Sequence, residues 1–281
     1  MITSFKKYTH TLNACSLGYI VQAIINNFAP LLFLTFNSSY GIRLDKIALL
    51  VSINFMVQIT VDLIGAKFVD KIGYRVSAVI AHVFSCAGLI LLAFLPDIMK
   101  DPYIGILISI IFYAIGGGII EVIISPIAEA CPTDNKQSVM SLLHSFYCWG
   151  HVLVVVLSTV FFVIFGIENW KYLSLFWALV PLLNAIYFLR VPIYALDKGE
   201  NGYLRIRDLL KNKVFWFVMI LMIAAGASEQ SMSQWASAFA ESGLNVSKTV
   251  GDLAGPLVFA VLMGISRVLF AKKGEKWDLN R

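Results

Sequence analysis

The stretch Gly65-Ala-Lys-Phe-Val-Asp70-Lys-Ile-Gly73-Tyr-Arg75 is a short charged turn wedged between two apolar runs. Ile47 to Ile64 reads as one membrane span ending near Phe68, and Val76 to Leu95 as a second. The second is about 20 residues long, which is what a hydrocarbon core of about 30 Å requires of a helix. The turn is therefore a tight hairpin at a membrane surface. Gly65 would let two helices approach closely, Gly73 can supply a positive φ, and Asp70 with Lys71 and Arg75 offers an ion-pair and capping network.

Composition agrees with a membrane environment. The 281 residues are 59% hydrophobic and only 14% charged, more apolar than a soluble core requires. The apolar segments lack the period-two alternation of barrel strands, so the fold class is an all-α integral membrane protein. Met1 to His10 carries Lys6 and Lys7, and the apolar run behind it continues past signal-peptide length, so it reads as a retained first helix. Cys15, Cys86, Cys131 and Cys148 fall in or beside apolar runs with no C-x-x-C pair. They give no disulfide framework and no metal site. The formal charge of +5 comes from loops and reads as topology rather than as affinity for nucleic acid.

Eight spans are expected: Leu12 to Phe36, Ile47 to Phe68, Val76 to Leu95, Tyr103 to Ala130, Ser138 to Phe165, Trp170 to Leu189, Val214 to Phe239 and Val250 to Phe270. With the amino terminus inside, only Arg43, Lys46, Lys100, Lys171 and Lys248 of the 22 Lys and Arg residues face out. That asymmetry places the amino terminus in the cytoplasm. The longest polar interval, between the sixth and seventh spans, contains Pro192, Gly199 and Gly202 and divides the chain. The expected units are a six-helix bundle over 1–190, a linker over 191–213 and a two-helix unit over 214–281.

The pattern Gly-x-x-x-x-Asp-x-x-Gly-x-Arg between the second and third spans, met by Gly65, Asp70, Gly73 and Arg75, resembles the signature loop of the major facilitator superfamily of transporters. The resemblance implies two six-helix bundles with a binding site between them near the bilayer midplane, here truncated after the eighth helix. Gly264-Ile-Ser-Arg267, followed by Lys272, Lys273 and Gly274, reads as a degenerate repeat of that turn in the second bundle, which makes Arg267 a gating residue. Glu129, at the inward end of the fourth span, resembles an acid that members use to latch the signature loop against Arg75.

Ionisable groups inside apolar spans are costly and mark cavities or partners. Glu121, within Gly116-Gly-Gly-Ile-Ile-Glu121-Val-Ile-Ile-Ser125-Pro126, is the leading candidate for proton exchange. This run is similar to the Glu-x-x-x-Asn-Pro of the fucose-proton symporter branch, and Asn26-Asn27 followed by Phe28-Ala-Pro30 resembles in part that branch's first span. Pro30 stands where the branch has a second acid. Asp62 can stand in for it, since Asn54, Gln58 and Asp62 recur every four residues and share one helix face. The alternative for Asp62 is a structural acid supporting the turn.

On the fifth span His144, Tyr147, Cys148 and His151 share a face, and His144 is a third candidate for carrying protons. The seventh span offers Glu229, Gln230, Gln234 and Trp235; amides can hydrogen-bond sugar hydroxyls while an indole packs on C–H edges. The same face could instead be polar glue between helices. Gln22, Asn26 and Asn27, with Tyr19, form a comparable stripe on the first span.

The expectation is a secondary transporter, monomeric, in an inner cell membrane, moving a small polar, sugar-like solute coupled to protons, with no cofactor. The alternative is an inactive fragment or a non-transporting receptor of the same fold. An enzyme is not expected: no H-E-x-x-H, Gly-x-Ser-x-Gly or clustered His with acids is present.

Overall fold

The computed structural model describes residues 2–133, 135–194, 208 and 210–273, with the side chains of 2–7, 66, 70 and 271–273 outside the description. Eight described helices or helix pairs are long and apolar enough to cross a membrane. They follow the expected order, and no strand occurs among the described residues.

The first span is not one helix. α1 (Ile2–Asn27) gives way to a 3-10 turn at Ala29–Leu32 and resumes as α2 (Phe33–Tyr40). Pro30, near the start of the turn, has no N–H to continue the α-helical ladder. Gly41, at φ +64°, ends α2 in the left-handed conformation that glycine adopts without cost.

α3 (Leu44–Ile72) and α4 (Tyr74–Ile98) are separated by Gly73 alone, at φ +84°. α3 runs four residues beyond the expected Phe68, because the helix continues past the apolar stretch into the charged turn. Close approach is not what Gly65 provides. A Cβ there would meet Val122 Cγ2 at 3.4 Å, an ordinary contact with a neighbouring side chain.

α5 (Pro102–Glu129) starts at Asp101, whose side chain accepts from Tyr103 N at 3.0 Å. α6 (Lys136–Phe165) starts at Asn135, which accepts from Ser138 N at 2.9 Å, and α7 (Trp170–Arg190) completes the first six spans. α8 (Lys213–Leu244) is the seventh span. The eighth is a short α9 (Lys248–Asp252), a π-turn at Leu253–Leu257 holding Pro256, and α10 (Val258–Lys273). The expected linker over 191–213 lies largely outside the described residues.

The first span is the central one: 83% of its most apolar window is buried, against none of the window in α8. Two apolar clusters pack around it. One, with Phe28, Phe36, Leu89, Ile106 and Trp177, fills the half toward Gly41. The other, with Cys15, Val69, Ile120, Ile127 and Phe188, fills the half toward Gly73.

Buried polar bonds tie these layers together. His82, fully buried on α4, donates from Nδ1 to the Ala78 carbonyl at 2.7 Å and accepts at Nε2 from Asn184 Nδ2 of α7 at 2.8 Å. The same Asn184 amide reaches the Ala14 carbonyl of α1 at 3.1 Å. Three helices therefore meet at one side chain.

At the signature turn, Arg75 Nη1 donates to the carbonyls of Phe188 and Leu189, each at 2.8 Å. It thus caps the end of α7, where carbonyls lack intrahelical partners and the helix dipole favours a cation. Among the described residues no ion pair joins Arg75 to Glu129, and Glu129 is exposed. The side chain of Asp70 lies outside the description.

Candidate solute-binding cavity

The glycine run on α5 explains how Glu121 comes to face several helices at once. Successive residues on an α-helix point about 100° apart. Gly116, Gly117 and Gly118 accordingly meet three different neighbours. A Cβ on Gly116 would come within 2.5 Å of the Ala81 carbonyl on α4, one on Gly117 within 2.8 Å of Ile25 on α1, and one on Gly118 within 2.9 Å of the Gln58 carbonyl on α3. α5 is seated against the backbone of α4 and α3 at Gly116 and Gly118, and against the tip of the Ile25 side chain of α1 at Gly117. The helix then presents Glu121 to open space.

That space is a cavity of about 300 Å³, within the range of small-molecule sites. α1 contributes Tyr19, Gln22 and Asn26; α3 contributes Phe55, Gln58, Ile59 and Asp62. Glu121 stands on α5, His144 and Tyr147 on α6, Glu229 and Gln230 on α8, and Arg267 on α10. Both halves of the chain therefore line it.

One wall is an amide chain. Gln22 Nε2 donates to Gln58 Oε1 at 3.1 Å, and Gln58 Nε2 donates to Asn26 Oδ1 at 2.8 Å and to Asn54 Oδ1 at 3.1 Å. Gln58 is 7% exposed and Gln22 3%, so these bonds fix their orientation away from bulk water. Tyr19 and Ser125 share a hydroxyl bond at 2.9 Å. The His144 ring lies 5.0 Å from that of Tyr19, between centroids.

Some of the buried polar atoms without a protein partner belong to this wall, Gln22 Oε1, Asp62 Oδ1 and Gln230 Oε1; others, such as Asn27 Oδ1 and both ring nitrogens of His151, lie elsewhere. Buried polar atoms in folded proteins are paired as a rule, so three unpaired acceptors around one cavity are notable chemistry. Three carboxylates, Asp62, Glu121 and Glu229, line the cavity against one guanidinium, Arg267.

All three residues read as proton carriers, Glu121, Asp62 and His144, reach this cavity. So do Gln22, Asn26, Gln58, Tyr147, Glu229 and Gln230 from the solute-binding set. Four others do not. Asn27 Nδ2 bonds the Ala23 carbonyl at 2.9 Å and Tyr147 Oη at 3.4 Å. Asn54 and Gln234 border a separate void of about 10 Å³, space for one water. Trp235 packs its ring 5.2 Å from that of Phe33.

Arg267 lines the cavity wall instead of standing in a turn, since α10 continues to Lys273 and carries it within the span. Its carbonyl accepts from Ser141 Oγ at 3.2 Å, tying α10 to α6. Phe55 and Ile59 were not anticipated. They flank Gln58 and Asp62 at helical spacing, so the polar stripe itself marks their face. No group of His, Cys, Asp and Glu among the described residues could hold a metal ion.

The fold resembles solved transporters. A crystal structure of a D-xylose-proton symporter superposes with a TM-score of 0.66 over 98% of this chain and 70% of that one, at 17% identity. The proton:xylose symporter XylE bound to 6-bromo-6-deoxy-D-glucose superposes with a TM-score of 0.56 over 99% of this chain at 14% identity. The chain spans 56% of that structure's length. No curated protein matches the sequence. The sequence pattern of the Major Facilitator Superfamily matches residues 15–281, and the chain belongs to that family.

Proposed function

We propose that the protein is a secondary carrier that moves a small, polar, sugar-like solute by alternating access, coupled to protons through Glu121, with Asp62 and His144 as further carriers. The observation behind this reading is the wall chemistry: acceptor atoms without protein donors, beside acids, around one cavity. A polyol supplies several O–H donors to such acceptors, and an acid that can be neutral or charged can carry the coupling proton. The two transporters of similar fold are described as sugar-proton symporters, which favours the same class. The Glu121 to Pro126 run and Asn26-Asn27 favour the fucose-proton branch within it. In this reading the Gly73 side faces the cytoplasm, as the positive charge there favours, and the turn of Gly65, Asp70, Gly73 and Arg75 works as an inner latch without Glu129.

A second reading has one observation in its favour. Three carboxylates against one guanidinium would suit a cationic amine as well as a neutral sugar. Proteoliposomes separate the two. Radiolabelled D-xylose and L-fucose should accumulate under an inward proton gradient, and Glu121→Gln should abolish accumulation while exchange down a gradient persists. Inhibition of uptake by excess organic amines but not by sugars would favour the second reading. Accumulation by Glu121→Gln equal to that of the parent would remove Glu121 from the coupling mechanism.

A further inference from the structure

Lys248 joins the two halves of the chain on the Gly41 side. It is the first residue of α9, and its Nζ donates to the Leu31 carbonyl in the 3-10 turn of the first span at 2.6 Å. Carbonyls at the end of a helical turn are the ones left without intrahelical partners, so this acceptor is available. The same ammonium lies 3.2 Å from Asp252 and 3.6 Å from Glu241 of α8. Asp252 is fully buried and is itself held by Ser237 of α8 and by Thr159 of α6, the latter at 3.4 Å.

Two further contacts continue this seam toward the cavity. Gln234 Nε2 donates to the Asn26 carbonyl at 2.9 Å, and Trp235 lies against Phe33. All three connect the second half of the chain to the first span, and all lie between the cavity and the Gly41 side. The cavity itself reaches Asp62 and Arg267, toward the opposite ends of α3 and α10. The side chain of Lys248 is only 23% exposed, so its charged bonds in the seam are poorly screened.

We propose that Lys248 is the outer latch of this carrier: Asp252 and Glu241 hold its ammonium on the second half of the chain while it grips the Leu31 carbonyl of the first span, closing the cavity to the outside. The proposal rests on the alternating-access reading above. Opening toward the outside requires the Lys248–Leu31 bond and the Thr159–Asp252 bond to break, whereas the Lys248–Asp252 pair, within one helix, can travel intact.

The test uses Phe55→Cys, a reporter on the cavity wall, and a membrane-impermeant maleimide on vesicles of known orientation, with the parent lacking the reporter as background. Lys248→Met should raise labelling from outside about tenfold, the population shift expected from losing one charge-assisted hydrogen bond, and lower labelling from inside. The exchange Lys248→Asp with Asp252→Lys keeps a pair at the same spacing but removes the grip on Leu31, so its labelling should match Lys248→Met. Unchanged outside labelling in Lys248→Met overturns the latch. So does parental labelling in the exchanged pair, or a rise from outside with no fall from inside at an unchanged unfolding temperature. Labelling needs no solute, so a chain that transports neither sugar nor amine would refute the carrier reading and still leave the latch measurable.

Discussion

Replacing Gly116 by alanine tests the packing that positions Glu121. The added Cβ would lie 2.3 Å from Ser85 Oγ, 2.5 Å from the Ala81 carbonyl and 2.7 Å from Ser85 N. Ser85 Oγ can rotate away, but the other two atoms are backbone of α4. Carbon needs about 3.4 Å from such atoms, so α4 and α5 must separate by roughly 1 Å. The pair is also locked at Gly88, whose Cβ would meet Tyr113 N at 2.5 Å, and at Gly105, whose Cβ would meet the Leu95 carbonyl carbon at 2.6 Å. Separation at Gly116 therefore strains the whole α4–α5 contact. Overpacking of this kind costs about 1–3 kcal/mol. Gly226→Ala is the matched control: it also lies within a helix, nothing stands within 4 Å of its Cβ, and removing glycine should gain up to about 1 kcal/mol. Thermal unfolding in detergent should place Gly116→Ala several degrees below the parent and Gly226→Ala at or above it. Uptake should fall only in the former. Equal transition temperatures for the two variants would refute the close-packing argument.

Asn184→Leu keeps the approximate volume but removes the donor to both His82 Nε2 and the Ala14 carbonyl, and should destabilise by about 2–4 kcal/mol. Combined with His82→Leu it should cost less than the sum of the two single changes; simple additivity in denaturant unfolding would argue against a shared network. Cys131 lies outside the spans, between α5 and α6, fully buried, and its thiol bonds the Ile127 carbonyl at 3.5 Å. Burial pushes this thiol up to about 11, only partly opposed by Lys136. At pH 8 about one molecule in a thousand would be thiolate, so maleimide should react slowly until the pH passes about 10 or the protein is unfolded; rapid labelling of the folded protein at pH 7.5 would contradict this.

Much of the fold is legible in the sequence because membrane spans are long apolar runs and their number and order follow from hydropathy. The interruptions are less so. Pro30 and Pro256 sit in runs that read as continuous spans, yet the chain forms a 3-10 turn at one and a π-turn at the other. The site shows a more specific limit. Gln230, Ser233, Gln234 and Ser237 recur at helical spacing, which fixes a direction around α8 but not a depth along it. Over seven residues a helix rises about 10 Å. That distance separates Gln230 in the cavity from Ser237, bonded to Asp252 beyond the seam. Asn54 and Asp62 divide in the same way on α3: Asn54, toward Gly41, bonds Asn26, and Asp62, toward Gly73, borders the cavity. Arg267 was legible as a charge near a helix end, but only the path of α10 places it beside the acids.

The three consecutive glycines of α5 carry an implication for coupling. Because Gly116 and Gly118 press against the backbone of α4 and α3, and Gly117 against the Ile25 side chain of α1, the helix bearing Glu121 has little room to move closer to α4 or α3. Close-packed interfaces resist continuous deformation and yield only by moving as units. A change in the charge of Glu121 therefore has little scope to move α5 alone. The element it can bias is the block formed by α1, α3, α4 and α5, moving against α8 and α9. The polar bonds from α8 and α9 to the first span, through Gln234 and Lys248, lie beyond the cavity on the Gly41 side. In the carrier reading, protonation at Glu121 acts on that seam by tilting a rigid block, so the coupling acid and the outer latch need no side-chain relay between them.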